Sequence, residues 1–219
     1  EPTSPSQMGE MMKIGRRGSM NAKITAKGTQ GHSAYPDRAN NPIVAMVKLL
    51  DKLVSHQLDV GTEHFDPSTL AITSVDTGNK ASNVIPAVTK AAVNIRFNDS
   101  HSGSSLVSWL KDEIEKVSAE YGIKFETDFK ISGESFITPP GELSDLISEA
   151  VKKELGVTPK LSTTGGTSDA RFIKDMCPVT EFGLVGKTMH AVDEKVETKQ
   201  INQLKEIYTR ILEAYFEKT

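Results

Sequence analysis

The stretch that decides the fold is Met20-Asn21-Ala22-Lys23-Ile24-Thr25-Ala26-Lys27. Its apolar residues (Met20, Ala22, Ile24, Ala26) fall on one face and its polar residues on the other, the period-two signature of a half-buried strand from Ser19 to Lys27. Downstream, Asn41 followed by Pro42 reads as an N-cap with proline at the first helical position. Ile43, Met46, Val47, Leu50, Leu53 and Val54 then recur at helical spacing. Leu70–Val75 and Ala87–Phe97 read as strands, with Val93, Ile95 and Phe97 alternating against Asn94 and Arg96. A second helix is expected from about Ser104 to Tyr121, ended by Gly122 in a left-handed cap. Ile123, Phe125, Thr127, Phe129 and Ile131 alternate with Lys124, Glu126, Asp128 and Lys130, giving the last strand. Residues 19–132 thus read β-α-β-β-α-β, a ferredoxin-like unit with one antiparallel sheet and two helices on one face.

The flanks read differently. Residues 1–18 begin with a Pro- and Ser-rich loop, and residues 133–219 alternate helices with short strands, as in part of a layered α/β domain. A helix is expected over Leu143–Leu155, a short strand at Lys160–Ser162, a short helix from Ser168, an apolar strand at Pro178–Leu184, and a last helix over about Thr198–Phe216. In that last helix Ile201, Leu204, Ile207, Tyr208, Ile211, Leu212 and Tyr215 are expected to point inward. The 219 residues amount to roughly one and a half domains at ~150 residues each. Two short strands do not make a layered sheet alone, so the chain reads as an interior piece of something longer. With 37% hydrophobic and 25% charged residues, the composition is that of a globular protein. No apolar run approaches ~18 residues. A net charge of −3 gives no electrostatic case for nucleic acid or an anionic membrane. The single cysteine, Cys177, excludes an internal disulfide framework, suits a reducing compartment and is expected to be a buried structural thiol.

Several residues carry candidate chemistry. His190 lies in a loop after an apolar segment, where an imidazole could ligate a metal or simply face water, with Asp193 and Glu194 nearby to orient it. Glu1 is a carboxylate donor or a solvated end residue. There is no HExxH, CxxC or HxH, so the chain shows no complete zinc site by itself. Gly165-Gly166-Thr167-Ser168-Asp169 leads into a helix that Ser168 can cap, a place for an anion or an ordinary capped loop. Arg16-Arg17-Gly18-Ser19 joins the two parts, and its arginines could hold a carboxylate or pair with surface acids. Arg96 faces the sheet side without helices, a candidate substrate or interface cation. His32, beside Gly31 and Tyr35, is either a turn residue or a donor to a developing oxyanion. Asn83 precedes a strand as a turn residue or a polar ligand contact.

Gln30-Gly31-His32-Ser33-Ala34-Tyr35-Pro36, Asn83-Val84-Ile85-Pro86, Gly165 to Phe172, and Met189-His190 with Asp193-Glu194 occur in that order. Together they resemble the dinuclear-zinc aminoacylase/carboxypeptidase superfamily. The Arg-Arg-Gly-Ser junction and the Gly-Gly-Thr-Ser-Asp-x-Arg-Phe loop narrow the resemblance to its desuccinylase branch. The resemblance covers essentially the whole chain. It implies a three-layer α/β zinc-hydrolase domain, here residues 1–18 and 133–219, interrupted by a ferredoxin-like lid, residues 19–132, that forms a homodimer. It implies two zinc ions, with cobalt able to substitute, a cytoplasmic setting, and hydrolysis of the succinyl amide of N-succinyl-L,L-diaminopimelate. By the same resemblance Glu1 and His190 are metal ligands, and His32 helps hold the oxyanion in the neighbouring subunit. Arg17, Ser19, Tyr35, Asn83, Arg96, Gly166 and Thr167 are its substrate contacts. Ser82 stands where a second Asn is expected, and Ala170 where Gly is common. The family's first metal His, its bridging Asp and its Glu-Glu pair would precede Glu1, so the chain alone is expected to lack hydrolase activity. The competing readings are another amidohydrolase of the superfamily, such as an acetylornithine deacetylase, and a stand-alone ferredoxin-like dimerisation module.

Overall fold

A computed structural model describes residues 1–217. The chain divides into two compact units: Glu1–Arg17 together with the segment from Phe136 onward, and Gly18–Ser135. The first unit opens with β1 (Met11–Lys13) and β2 (Gly15–Arg16). The second runs β3 (Gly18–Lys27), β4 (Gly31–His32), α1 (Pro42–Ser55), β5 (Thr69–Asp76), β6 (Val84–Ile85), β7 (Val88–Phe97), α2 (Gly103–Tyr121) and β8 (Lys124–Gly133). The chain then returns to the first unit with β9 (Phe136–Ile137), α3 (Glu142–Leu155), β10 (Lys160–Ser162), α4 (Ala170–Ile173) and α5 (Thr198–Phe216).

In the second unit the sheet order is β5-β7-β3-β8 and every neighbouring pair is antiparallel, the ferredoxin-like arrangement expected from the periodicity. Met20, Ala22, Ile24 and Ala26 from β3 and Val93, Ile95 and Phe97 from β7 are buried against Leu49 and Leu53 of α1 and Leu106 and Leu110 of α2. The helix ends follow from the sequence. The Asn41 side chain accepts from the Ile43 N–H at 3.0 Å, and Ser102 and Ser105 form a reciprocal capping box. Gly122 ends α2 at φ 61°. The other sheet face carries exposed Asn21, Lys23 and Lys27, and Lys27 pairs with Glu126 at 2.6 Å.

The long connection between α1 and β5 is held by one carboxylate. Asp59 Oδ1 accepts from the N–H groups of Gly61 (2.8 Å) and Ser68 (3.1 Å) and from Asn98 Nδ2 (2.7 Å). Its Oδ2 lies 3.2 Å from His101 Nε2. Burial pushes the Asp59 carboxyl up, but bonds from Ser68, Gly61 and Asn98 outweigh that and hold it below its ordinary 3.8.

In the first unit β1 runs parallel to β10 and β2 antiparallel to β9. Met12 and Ile14 pack with Ile147, Ala150 and Val151 of α3, Phe182, and Ile207 of α5.

The structure corrects five readings. Pro178–Leu184 is not a continuous strand; it is fixed by an isolated bridge between Glu181 and Lys13 and by the Tyr208 hydroxyl donating to the Phe182 carbonyl at 2.5 Å. Ser168 does not cap the helix after the glycine loop, because that helix is only four residues and starts at Ala170 with Asp169 in the cap position. Cys177 is exposed rather than buried. In α5, Ile207 is fully buried, whereas Ile201, Tyr208, Leu212 and Tyr215 are exposed, since α3 covers only one edge of a wider apolar stripe. In α1, Val47 and Val54 are exposed and Leu49 takes the core position.

Candidate active site

The candidate residues fall into two groups, one on each unit. In the first unit, a cavity of about 310 Å³ is lined by Glu1, Ser4, Lys13, Arg16, Thr164–Thr167 and His190, among others. Backbone pairing explains how the two ends of the unit's sequence meet there. Thr3 N–H donates to the Leu184 carbonyl at 3.1 Å, and Gly186 N–H to the Ser4 carbonyl at 2.9 Å. The Thr3 hydroxyl oxygen accepts from Gly183 N–H at 3.0 Å. Gly183 is needed for this approach, because a Cβ there would sit 2.1 Å from the Glu1 carbonyl oxygen. The chain then turns through Met189 and His190. His190 has φ 63°, a left-handed conformation uncommon outside glycine, and its N–H donates to Glu194 Oε2 at 3.4 Å.

Sequence reasoning missed Lys13 on the inner wall of this cavity. Lys13, 6% exposed, lies on β1 between Met12 and Ile14, which face the core. Its Nζ donates to Thr164 Oγ1 at 2.7 Å and lies 3.3 Å from Ser162 Oγ and 2.9 Å from Met11 Sδ. Burial, then the Arg16 charge, lowers the ammonium from 10.5 to about 8, against a smaller opposing pull from Glu181. Arg16, also 6% exposed, pairs through Nε with Glu181 Oε2 at 2.6 Å and through Nη1 with the Thr164 carbonyl at 3.3 Å. The guanidinium lies directly under Gly165: a Cβ at that residue, which has φ 108°, would meet Nη1 at 2.5 Å. Of the two junction arginines it is Arg16 that lines the cavity; Arg17, half-buried, is the last residue of the unit's first segment. The only signal for Lys13 was a lone charge inside an apolar strand.

In the second unit β4 pairs with β6, setting His32 opposite Val84, and the Ser33 N–H donates to the Asn83 carbonyl at 2.9 Å. A turn brings Tyr35 back, its N–H on the His32 carbonyl at 2.9 Å and its ring 5.8 Å from the imidazole. His32, Tyr35 and Asn83 therefore form one exposed cluster. His32 Nδ1 accepts from the Ala34 N–H at 3.0 Å. In the neutral ring the proton then sits on Nε2, which is left to donate outward. On the sheet, Ser19 and Arg96 are register partners. Ser19 is buried, and Arg96, half-buried, donates from Nε to Asn94 Oδ1 at 3.2 Å.

Glu1 and His190 offer the oxygen and nitrogen donors that zinc accepts, and both line one cavity. A zinc ion needs three or four ligands, and no group of three or more His, Cys, Asp or Glu side chains placed to hold a metal occurs among the described residues. Among the described residues the donors do not make a complete metal site.

Residues 14–122 match the model of a peptidase dimerisation domain. Over 216 residues, 99% of the chain, the sequence is 66% identical to a succinyl-diaminopimelate desuccinylase of Ruegeria pomeroyi. It is 65% identical over the same length to one of Cereibacter sphaeroides. The chain is similar to succinyl-diaminopimelate desuccinylases over nearly its whole length. It spans 57% of the length of these curated relatives. Among solved structures, a tripeptidase from Staphylococcus aureus superposes with a TM-score of 0.81 at 20% identity, covering 95% of this chain and 54% of that one. A metallo-carboxypeptidase from Sulfolobus solfataricus gives 0.74 at 14%, covering 97% and 61%. These likenesses show that the fold is shared with peptidases of this type. No helix among the described residues is long and apolar enough to cross a membrane.

Proposed function

We propose that this chain forms the lid and part of the catalytic domain of a metal-dependent amidohydrolase. Its reaction is removal of succinate from N-succinyl-L,L-diaminopimelate to give L,L-diaminopimelate, in diaminopimelate and lysine biosynthesis in the cytoplasm. The observation that carries this reading is the 66% identity sustained over 99% of the chain to a protein of that name. The similarity to desuccinylases at 62–66% identity favours this substrate over acetylated amino acids, and the cavity residues outside the lid have no role in a stand-alone dimerisation module.

In this reading Glu1 and His190 are the chain's donors to a divalent metal, zinc with cobalt able to substitute. Gly166 and Thr167 present backbone N–H groups to the substrate, and Arg17, Ser19, Tyr35, Asn83 and Arg96 contact it from the lid and its junction. His32 donates from Nε2 to the oxyanion that forms on the amide carbon, in the active site of the second copy of a homodimer built through the lid. The matched dimerisation domain supports that assembly. Residues 19–132 are the lid, and residues 1–18 and 133–219 the catalytic part. The test is succinate release from N-succinyl-L,L-diaminopimelate by the full-length protein, compared with acetate release from acetylornithine. Faster turnover of acetylornithine would overturn the substrate assignment.

A further inference from the structure

The open face of the lid sheet carries a run of polar side chains that ends at Arg96. Asn94 and Arg96 lie two residues apart on β7 and share that face, opposite the buried Val93, Ile95 and Phe97. Their register partners on β3 are Asn21 and Ser19. On β5 they are Ala71 and Thr69, side chains too small to cover an amide or a guanidinium. The Asn94 amide is held in one orientation. Its Nδ2 donates to the Met20 carbonyl at 3.2 Å and to Asn21 Oδ1 at 2.9 Å. A backbone carbonyl can only accept, so the nitrogen end of the amide must face β3 and the oxygen end must face away from it. There Asn94 Oδ1 accepts from Arg96 Nε at 3.2 Å. The Arg96 side chain makes no other hydrogen bond or ion pair among the described residues. Its two Nη groups, which match a planar carboxylate as a fork, are left to a ligand.

We propose that Asn94 is a positioning residue for Arg96. It takes the Nε–H, fixes the plane of the guanidinium and leaves the Nη fork presented to the substrate. The inference rests on the desuccinylase reading for the ligand of Arg96 and on the sheet geometry for the device. A loose arginine gives up rotamer freedom when it binds, whereas one already tied through Nε has given up part of it in the folded state. Asn21 holds the amide and the amide holds the guanidinium, so the order passes from β3 through β7 to the ligand.

The test uses the full-length protein with N-succinyl-L,L-diaminopimelate. Asn94→Ala is expected to raise KM about tenfold, the size of a lost bond to a charged group, and to change kcat by less than about threefold. In an Arg96→Met background the same substitution is expected to leave KM unchanged, because the residue it acts through is gone. A KM effect of equal size in both backgrounds, or none beside native Arg96, overturns the positioning role. In the unaltered protein the Arg96 Nε–H is expected to exchange with solvent at least about tenfold more slowly than that of exposed Arg38, an outcome that does not depend on a variant folding. Exchange as fast as at Arg38 also overturns it. Absence of succinate release by the unaltered protein sinks the desuccinylase reading alone, with the exchange at Arg96 Nε still deciding the geometry. Turnover whose KM is indifferent to Asn94→Ala sinks the positioning role alone.

Discussion

Replacing Lys13 by methionine is expected to stabilise the folded chain at neutral pH, although it deletes hydrogen bonds. The native ammonium is lowered from 10.5 to about 8, chiefly by burial. That difference corresponds to a penalty of about 3 kcal/mol on the charged form in the folded state. Methionine fills similar space and carries no charge. Against this stands the loss of the bonds to Thr164 Oγ1 at 2.7 Å and Ser162 Oγ at 3.3 Å, about 1 kcal/mol each. Those two hydroxyl oxygens lie 2.9 Å apart and can satisfy each other, which softens the loss. The net gain is about 1–2 kcal/mol at pH 7, or roughly 5–10 °C in the melting of a unit of about a hundred residues. The pH dependence is the sharper signature. Between about 8 and 10.5 the folded Lys13 has lost its proton and the unfolded one has not. The unfolded state then binds more protons, so native stability rises with pH and the advantage of the variant shrinks. Below about 8 both states are protonated and the gap is constant. Urea melts of both proteins from pH 7 to pH 10.5 measure this. A variant less stable at pH 7, or a gap that does not narrow above pH 8, would refute the claim of a buried, uncompensated ammonium.

Three further outcomes follow from the geometry. Asp59→Ala leaves the N–H groups of Gly61 and Ser68 without their acceptor and removes the 2.7 Å bond of Asn98 Nδ2 and the ion pair of His101, and is expected to cost about 3 kcal/mol in urea unfolding of the lid. Because the folded Asp59 lies below 3.8, its contribution is present above that pH and lost as pH falls through the lower folded value, so native and variant converge in acid. Gly183→Ala drives a Cβ against the Glu1 carbonyl and is expected to cost about 1–3 kcal/mol, with faster hydrogen exchange at the Thr3 and Gly186 amides; unchanged exchange there would contradict the pairing. In the full-length protein, His32→Ala is expected to lower kcat about 100-fold with little change in KM or in melting temperature; an effect confined to KM would remove His32 from oxyanion binding.

The lid was legible because its elements carry their periods openly. Met20 to Lys27 alternates without a break, and Asn41-Pro42 and Gly122 mark helix ends by local chemistry that needs no tertiary partner. Elements whose state depends on distant contacts were less legible. Pro178–Leu184 has the composition of a strand, but a strand needs a neighbour along its length, and here the pairing is confined to an isolated bridge of Glu181 with Lys13 and the Leu184 carbonyl's bond from Thr3. The stripe on α5 reads as apolar from Ile201 to Tyr215, yet periodicity reports a face and not what lies against it. Only where α3 approaches does burial follow, at Ile207 with Leu204 and Ile211 alongside.

The site shows the same division with an added step. His32, Tyr35 and Asn83 sit in turn-rich segments, where polar residues stand out against the strands around them, and the structure joins them through β4 and β6. Lys13 lies inside a short strand whose neighbours, Met12 and Ile14, are apolar, so its chemistry is hidden by the pattern that locates the strand. A lone lysine in such a run reads as an edge or a solvated flank. Its meaning comes from two facts that sequence spacing does not contain: Thr164 is brought to its ammonium from 151 positions away, and Glu181 is already committed to Arg16. A chain that only had to fold would gain from replacing Lys13 with an apolar residue of the same volume, by the estimate made above. The stability gain of Lys13→Met at pH 7 and its shrinkage above about pH 8 are therefore two readings of the same buried charge.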